Sequence, residues 1–492
     1  MYLSHILRSE EILSPEKHAN TEIAKPIADS RKIEKNDVFF CEDGFYESGF
    51  SYAARAVDAG AALIVTEKGG KSRLSALPIP VLEVENVRKS YARAWSRYEN
   101  EPQNALRLLA VTGTNGKTSV ASFLHGILRN AEIPTGLIGT VEYSDGVDRY
   151  PSDYTTPPPD VLYPLFSEMK RKNTRFAVME ASSHAIAQKR LAELTFETAI
   201  FTGLSRDHLD YHKTWETYRD TKASLFENAA HALINIDDAS AEYMANAAKG
   251  AVCTFGQNQK SDFLIQDPLC TVEDIRYTLR FDGHTLAIQI PLIGRFHIYN
   301  TAAAIAAAYL SGIPAQTLQA LCDKLKAPAG RLEKLKTETD FSVFIDYAHS
   351  PDALNSALRS LRPFTKKLTV LFGAGGMRDK GKRPEMGKIA ETVADRVILT
   401  SDNPRTESPA SILDDIESGM ALRKHIRIED RAQAIRYALL TAESGEILLL
   451  AGKGHENYTD LGNGKTPFSE REIVYTILNE NRKGKDNVSE HL

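Results

Sequence analysis

The chain has 492 residues, of which 42% are hydrophobic and 25% charged, and its formal net charge at pH 7 is −5. These values are typical of a globular protein and, at about 150 residues per domain, predict about three domains. The slightly acidic balance predicts no nucleic-acid partner and no attraction to an anionic membrane. The sequence shows no bilayer-length apolar run, no signal peptide and no C-x-x-C motif, so we expect a cytoplasmic protein without membrane insertion.

Residues 1–98 alternate short apolar runs with helical patterns, which predicts a smaller α/β domain. Strands are expected at residues 37–41 and 62–66, with an aromatic turn at residues 44–50 between them. Ser30, Arg31 and this turn could hold a nucleotide sugar, with the arginine on phosphate. A surface turn beside a solvated arginine explains the same residues equally well.

Residues 108–119 read LLAVTGTNGKTS, an apolar strand followed by a glycine turn and a helical pattern. Strand, glycine turn, Lys117-Thr118 and helix form the plan of a phosphate-binding loop. Its backbone amides would hold anionic oxygens, Lys117 would reach the terminal phosphates, and Thr118 would bind Mg²⁺. The full motif would place glycine where Val111 stands, so the loop is a variant. A glycine-rich turn without a nucleotide is the alternative.

Two further predicted strands end in groups that suit a metal or a phosphate. Residues 176–180 end in Glu180, and residues 199–202 lead into DHLDYH at 207–212. The carboxyl ends of parallel strands meet at one edge of a sheet, so Glu180 and His208 could hold Mg²⁺ there. Lys222 lies on an amphipathic helical pattern and is interpreted, on spacing alone, as a solvated lysine. Asn300 could be a helix cap or an adenine contact, and caps are commoner.

Four apolar runs in the last third predict a second parallel sheet, with strands at residues 343–346, 368–372, 397–400 and 447–450. Each run closes on glycine or charged residues, which indicates a second site at a carboxyl edge. The glycine turn at residues 373–376 lacks the spacing of a dinucleotide fingerprint, so NAD is not expected. Arg378 and Arg405 are the candidates for gripping a substrate carboxylate bidentately.

Together these motifs resemble those of the Mur ligases, the ATP-dependent amide-forming enzymes of peptidoglycan synthesis. The matching motifs are TGTNGKT (112–118), EASSH (180–184), DHLDYH (207–212), AGRLE (329–333), DYAH (346–349) and GKGHE (452–456). DNPR at residues 402–405 is similar to the members that add meso-2,6-diaminopimelate (meso-diaminopimelate) to UDP-N-acetylmuramoyl-L-alanyl-D-glutamate (UDP-MurNAc-dipeptide). The resemblance implies a UDP-binding domain at 1–98, an ATP-binding domain at 99–328 and a Rossmann-like domain at 329–492, all α/β.

The resemblance also implies roles for individual residues. Implied catalytic residues are Lys117, Glu180, His208 and Lys222. Thr118 and Glu180 would serve one Mg²⁺ and His208 a second, and Lys222 would hold Mg²⁺ as a carbamate. Implied ATP contacts are Gly113, Thr114, Asn115, Gly116, Lys117, Thr118, Ser119, Asn300, Arg331 and Asp346. Implied UDP-MurNAc-dipeptide contacts are Ser30, Thr155, Thr156, Ser182, Gln188 and Arg190. Implied diaminopimelate contacts are Arg378, Asp402, Asn403, Pro404, Arg405, Gly452 and Glu456.

The expected reaction activates a carboxylate as an acyl phosphate, which an amine then attacks. The expected ligands are therefore ATP, Mg²⁺ and the two small substrates. The protein itself is expected to be a monomer. The chain departs from the family pattern at Met377, where aspartate is usual, at His297, where asparagine is common, and in the loop around residues 46–50. The alternatives are a related ligase that uses lysine, another amino acid or a non-wall acyl donor, and a phosphate-loop switch without an acceptor.

Overall fold

The computed structural model describes residues 1–13, 20–44, 47–422 and 424–489, with only the backbone of residues 482–489. Residues 45 and 46 of the aromatic turn lie outside the described residues. A first sheet is parallel in chain order, and its strands are β1 (Pro26–Ile27), β2 (Val38–Phe40), β3 (Leu63–Glu67) and β4 (Val81–Val84). Its helices are α1 (Ala53–Asp58), α2 (Gly70–Arg73) and α3 (Val87–Tyr98).

Helix α3 joins the first sheet to the rest of the molecule. It begins where the Asn86 side chain accepts a hydrogen bond from the Lys89 amide at 2.8 Å, a typical N-cap. Its buried face includes Tyr91 and Trp95, which belong to the same hydrophobic cluster as Phe166 of the next sheet's helices. The first two sheets therefore share a continuous core.

The second sheet contains β5 (Arg107–Thr112), β6 (Thr135–Ile138), β7 (Glu142–Ser144), β8 (Arg149–Pro151), β9 (Phe176–Glu180), β10 (Phe196–Phe201), β11 (Ala229–Asn235), β12 (Ala251–Gly256), β13 (Phe263–Cys270), β14 (Ile275–Phe281) and β15 (His284–Ile290). Their order is β15-β14-β13-β12-β11-β10-β5-β9-β6-β7-β8. The helices are α4 (Lys117–Asn130), α5 (Pro159–Arg171), α6 (Ser183–Ala187), α7 (Leu209–His212), α8 (Trp215–Ala223), α9 (Ala241–Ala247), α10 (Phe296–Leu310) and α11 (Ala315–Cys322).

This sheet is parallel at its centre, as predicted, and antiparallel at both edges, where no strand was predicted from the sequence. The pairs β13–β14, β14–β15, β6–β7 and β7–β8 are antiparallel. For β14 and β15 the reason for antiparallel pairing is local. Asp282 and Gly283, which lie between these two strands, both adopt positive φ (44° and 73°). An Asp-Gly pair in this conformation makes a tight hairpin, which returns the chain antiparallel instead of crossing over.

The third sheet contains β16 (Glu333–Lys334), β17 (Ser342–Asp346), β18 (Leu368–Phe372), β19 (Arg396–Leu399), β20 (Ile426–Arg427) and β21 (Ile447–Ala451), in the order β16-β17-β21-β18-β19-β20. A hairpin of β22 (Tyr458–Asp460) and β23 (Lys465–Pro467) follows. The helices are α12 (Pro351–Leu361), α13 (Lys382–Val393), α14 (Pro409–Glu417), α15 (Arg431–Leu440) and α16 (Glu470–Ser489).

The four strands predicted for the last third are parallel neighbours in this sheet, in the order β17-β21-β18-β19. Hydrophobic clusters cover both of its faces, as expected for a parallel sheet between helix layers. Among the residues that the structure describes, no helix combines the length and the apolar character needed to cross a bilayer.

Candidate active site

The phosphate loop connects β5 to α4 and depends on two glycines. Gly116 has φ of 86° at the N-terminus of α4, and Gly113 has φ of 149°. A Cβ on Gly113 would lie 2.0 Å from Thr202 Oγ1, so a side chain has no room there. Lys117 Nζ donates to the carbonyl oxygens of Gly113 and Thr114, each at 2.9 Å. The Lys117 side chain thus lies over the loop at the N-terminus of α4. Backbone amides at the N-terminus of a helix suit anionic oxygens.

Thr118 and Glu180 lie together at the carboxyl edge of the sheet. Thr118 Oγ1 donates to Glu180 Oε2 at 2.9 Å and accepts a hydrogen bond from Arg331 Nη2 at 2.9 Å. Arg331 precedes the third sheet, so this contact brings the C-terminal part of the chain to the phosphate loop. The hydroxyl and the carboxylate are oxygen donors of the kind that Mg²⁺ prefers, and they fit this metal. The described residues contain no ready-made cluster of three or more His, Cys, Asp or Glu ligands.

Thr140 supports Glu180 and was not among the residues predicted from the sequence. Its amide donates to Glu180 Oε1 at 2.7 Å, and its hydroxyl donates to Oε2 at 3.0 Å. A signal is present in the sequence, because Thr140 ends the apolar run at residues 137–140, which predicts a strand. The Thr155 hydroxyl lies 3.0 Å from the Thr140 hydroxyl.

Thr140→Val is expected to raise the Mg²⁺ concentration needed for half-maximal activity by about tenfold, since it removes a hydrogen bond that orients a metal-binding carboxylate. The measurement is an Mg²⁺ titration of phosphate release from ATP. Thr198→Val is the matched control, because Thr198 is buried in the same sheet and its hydroxyl has no hydrogen-bond partner among the described residues. An unchanged Mg²⁺ requirement in Thr140→Val would contradict this supporting role.

His208 stands at the N-terminus of α7 with φ of 53°. Its Nε2 lies 3.5 Å from Asp207 Oδ2, and its ring centroid lies 4.8 Å from that of His184. Burial lowers the pKa of His208 to about 3, although Asp207 opposes this shift. The imidazole is therefore neutral at pH 7 and can act as a metal ligand.

Lys222 is only 1% exposed, so its interpretation from spacing as a solvated lysine is wrong. Its Nζ donates to Gly113 O at 2.9 Å and lies 3.4 Å from Thr112 Oγ1, directly behind the phosphate loop. Burial, and then the charge of Lys117, lower the pKa of Lys222 well below its usual value. A buried lysine with a lowered pKa is available as a neutral amine, the form that reacts with electrophiles.

Asn300 contacts the phosphate loop itself, whereas Asp346 supports the backbone next to Arg331. The cap alternative for Asn300 is wrong, because α10 begins four residues earlier, at Phe296. Asn300 Oδ1 instead lies against the phosphate loop, 2.8 Å from where a Cβ on Gly116 would be. The Asp346 carboxylate accepts hydrogen bonds from the amides of Leu332 and Ala348 at 2.5 and 2.8 Å, so it holds the backbone beside Arg331.

His297, one of the departures from the family pattern, has no solvent exposure. Its ring packs against Phe123 and Phe296, with centroid distances of 5.5 and 4.3 Å. Burial lowers its pKa to about 3, so the ring stays neutral and contributes packing.

Four of the predicted UDP-MurNAc-dipeptide residues form one hydrogen-bonded group. Thr156 Oγ1 lies 3.1 Å from Ser182 Oγ, and Arg190 Nη1 donates to Thr156 O at 2.6 Å. Arg190 also donates to Gln188 Oε1 through Nη2 at 2.7 Å. Thr155 joins this group to Glu180 through Thr140.

Ser30 lies apart from that group, on the first sheet's side. It is buried at the start of the short 3₁₀ helix Ser30–Lys32. Lys32 Nζ contacts Asp160 Oδ2 at 3.0 Å, which holds this helix against the start of α5. The structure thus brings Ser30 to the same side of the second sheet as the loop containing Thr155 and Thr156.

The predicted diaminopimelate residues gather at the carboxyl edge of the third sheet. Asn403 Nδ2 donates to Glu456 Oε2 at 2.7 Å, while Asn403 Oδ1 accepts from Lys453 Nζ at 3.0 Å. Gly452 has φ of 113°, and a Cβ there would lie 2.3 Å from Asp402 Oδ2. A side chain larger than hydrogen would therefore push Asp402 out of place.

Arg378 and Arg405 converge on Gly375, where a Cβ would be 3.6 Å from Arg378 Cγ and 3.1 Å from Arg405 Nη1. Arg405 has φ of 52°, and its guanidinium donates to Gly376 O at 2.8 Å and lies 3.3 Å from Asp460 Oδ2. Pro404 O lies 1.9 Å from where a Cβ on Gly376 would be, so the two loops are in direct contact.

Charged side chains from both halves of this site act on His184. Burial lowers the pKa of His184, and the cations Arg190 and Arg378 lower it further while Asp210 opposes them. Arg190 belongs to the second sheet and Arg378 to the third, so both regions lie within electrostatic reach of one imidazole. A carboxylate beside the phosphate loop and an amine from the third sheet could meet there.

Comparisons with known proteins agree with this arrangement. The family description "Mur ligase middle domain" matches residues 111–308, and "Mur ligase, glutamate ligase domain" matches residues 330–454. A UDP-N-acetylmuramoyl-L-alanyl-D-glutamate--2,6-diaminopimelate ligase of Caldanaerobacter subterraneus subsp. tengcongensis is 38% identical over 97% of this chain and 100% of its own length. The chain belongs to the Mur ligase family. A ligase of the same name from Geobacillus kaustophilus is 37% identical over 94% of this chain and 96% of its own.

Solved structures show the same relation to the Mur ligases. A structure of UDP-N-acetylmuramoyl-L-alanyl-D-glutamate--2,6-diaminopimelate ligase has a TM-score of 0.69 at 30% identity, covering 98% of this chain and 99% of that one. The MurF ligase of Thermotoga maritima, solved in complex with ADP, has a TM-score of 0.61 at 17% identity and covers 94% and 98%. At that identity the second likeness shows the fold alone.

Proposed function

We propose that this Mur ligase joins meso-2,6-diaminopimelate to the D-glutamyl carboxylate of UDP-N-acetylmuramoyl-L-alanyl-D-glutamate at the expense of ATP. The observation that carries the proposal is that Arg378 Cγ and Arg405 Nη1 both lie against Gly375, while Asn403, from the same loop as Arg405, donates to Glu456. Relatives at 37% and 38% identity over nearly the whole chain bear the name of this activity.

The reaction needs a carboxylate to be made into an acylating agent. The γ-phosphoryl group of ATP moves to the D-glutamyl carboxylate, which leaves ADP and an acyl phosphate. The amine of the acceptor attacks the acyl carbon, and the tetrahedral intermediate collapses to an amide, inorganic phosphate and a released proton. Lys117, at the start of α4, opposes the negative charge of the transferred phosphoryl group.

Thr118 and Glu180 would hold one Mg²⁺ and His208 a second, and the chemistry that these ions would supply is neutralisation of phosphate charge. The Lys222 amine reacts with CO₂ to form a carbamate, with loss of one proton. The new carboxylate places a negative charge behind Gly113, where an unmodified lysine would place either no charge or a positive one. The lowered pKa of Lys222 supports this reaction, because only the neutral amine attacks CO₂.

Acceptor choice rests on charge complementarity. Arg405 would pair with the distal carboxylate of diaminopimelate, which lysine lacks. Glu456, held by Asn403, would accept a hydrogen bond from an ammonium group. With lysine bound, the Arg405 guanidinium would lose that partner and keep only Gly376 O and Asp460, so diaminopimelate is favoured.

The decisive experiment measures phosphate release from ATP in the presence of the UDP-MurNAc-dipeptide and single amino acids. Release that requires both the dipeptide nucleotide and meso-diaminopimelate is expected. Release with lysine instead would assign the lysine-adding alternative, and release independent of any acceptor would favour a phosphate-loop switch. The domain limits at 98 and 328, the roles of individual site residues and the monomeric state remain predictions.

A further inference from the structure

Arg383 is a charged side chain with no solvent exposure, located on α13 behind the acceptor loops. Its guanidinium donates to Glu407 Oε1 and Oε2, both at 2.8 Å, and to Asp415 Oδ2 at 2.7 Å. Glu407 is bound bidentately, which is the strong and directional form of an arginine–carboxylate pair. Neither Arg383 nor Glu407 belongs to the substrate contacts that the motifs imply.

The pair is bonded to both loops that form the acceptor pocket. Arg383 Nη2 donates to Gly375 O at 3.2 Å, and Glu407 Oε2 accepts from the Met377 amide at 3.0 Å. The Glu407 amide in turn donates to Pro404 O at 3.0 Å. The glycine loop at residues 373–378 and the DNPR loop at residues 402–405 are therefore tied to a single buried ion pair.

Both loops contain strained residues that need such support. Met377 and Arg405 have φ of 53° and 52°, the left-handed region that non-glycine residues rarely adopt. Strained conformations persist when neighbouring contacts over-determine them. Here the Met377 amide is held by Glu407, and the Arg405 amide donates to Asp460 O at 3.0 Å.

We propose that Arg383 and Glu407 are positioning residues that set the spacing of Arg378 and Arg405 and so determine the acceptor affinity of the ligase. The inference rests on the proposed function, because it assigns these arginines to the acceptor. Losing the bidentate pair removes the side-chain bonds that fix the two loops to each other. The loops then stay joined only by the Gly376 amide, which donates to Asn403 O at 2.9 Å, and by Arg405 itself, so the two guanidinium groups are held less firmly relative to a carboxylate. Lysine at position 383 offers a single point charge and cannot restore the bidentate bond.

The test compares Glu407→Gln and Arg383→Lys with the wild-type enzyme. Both variants are expected to raise the KM for diaminopimelate by about tenfold or more, since small displacements of binding groups have large effects. The KM for ATP, the KM for the UDP-MurNAc-dipeptide and kcat at saturating acceptor are expected to stay within about twofold of wild type. A general loss of stability would not produce this split.

Glu446→Gln is the matched control. Glu446 is fully buried and, like Glu407, is paired with an arginine, here Arg396 of the same sheet at 2.9 Å, but it precedes β21 at the opposite, amino edge. It is expected to leave all three KM values unchanged. If Glu407→Gln does not fold, Asp415→Asn removes only the partner of Arg383 that is 39% exposed, and a rise of about threefold in the acceptor KM is expected.

Two results would overturn the inference: an acceptor KM in folded Glu407→Gln within twofold of wild type, or equal changes in Glu407→Gln and Glu446→Gln. The assay of the wild-type enzyme separates failure of this inference from failure of the proposed function. If wild type prefers another amino acid, the proposed function fails, and the same KM comparison is made with that amino acid. If wild type needs no acceptor, both fail.

Discussion

Lys222→Ala is expected to lower kcat by roughly 10²- to 10³-fold, the effect typical of removing one preorganised electrostatic group from an active site. Lys222 is buried behind the phosphate loop and bonded to Gly113 O, so the substitution removes that contact together with the proposed carbamate. Burial lowers the pKa of Lys222, so the neutral amine that the proposed carbamate requires is available at pH values where an exposed lysine stays protonated.

Rescue distinguishes the carbamate from a simple packing role. A small carboxylic acid such as acetate is expected to restore part of the activity of Lys222→Ala, because it can occupy the space of the missing carbamate. The surface lysine Lys249, paired with Glu227 at 3.3 Å, supplies the control Lys249→Ala, which is expected to keep full activity with or without the acid. Full activity in Lys222→Ala would remove the carbamate from the mechanism.

Arg405→Ala is expected to raise the KM for diaminopimelate by roughly 10²-fold, because truncating one member of a partly buried charge pair costs about 2–5 kcal/mol. The KM for ATP is expected to change little, since the phosphate loop lies on another sheet. Steady-state kinetics with diaminopimelate and lysine as acceptors provide the measurement. The preference for diaminopimelate over lysine is expected to fall as well, because the group that reads the distal carboxylate is gone.

The control for Arg405→Ala is Arg436→Ala on α15, an arginine that is half exposed and paired with Glu480 at 2.8 Å. It loses the same side chain without touching the acceptor pocket, so its kinetic constants are expected to match wild type. Equal increases in the KM for ATP and for diaminopimelate in Arg405→Ala would contradict the pocket role.

Local patterns in the sequence were sufficient for the central strands and for the phosphate loop. The apolar runs that became β9 and β18 have the same limits in the structure as in the sequence prediction, residues 176–180 and 368–372. Parallel strands buried on both faces read as continuous apolar runs, which is why they are easily found. The antiparallel edge strands of the second sheet were harder to predict. The hairpin after β14, for example, is encoded by a single Asp282-Gly283 pair instead of a long apolar run.

Side chains whose role depends on distant partners could not be assigned in this way. The spacing of Lys222 on an amphipathic helix indicates a solvated residue, and only the packing of α8 against the phosphate loop buries it. Asparagine is a residue type that often caps helices, but Asn300 lies within α10, against Gly116. Arg383 has the same appearance in sequence as any surface arginine, yet its three polar partners come from residues 375, 407 and 415.

The sequence by itself determined which chemistry the chain carries, because the glycines, Lys117 and Thr118 of the phosphate loop must be neighbours along the chain to work. Through the DNPR motif it also supplied the residues of the proposed acceptor pocket. Only the tertiary structure decided the environment of those groups: that Thr140 orients Glu180, that Arg331 reaches Thr118 from the C-terminal sheet, and that a buried Arg383–Glu407 pair holds the pocket loops. Burial and hydrogen bonds between distant segments are properties of packing, and no local pattern encodes them.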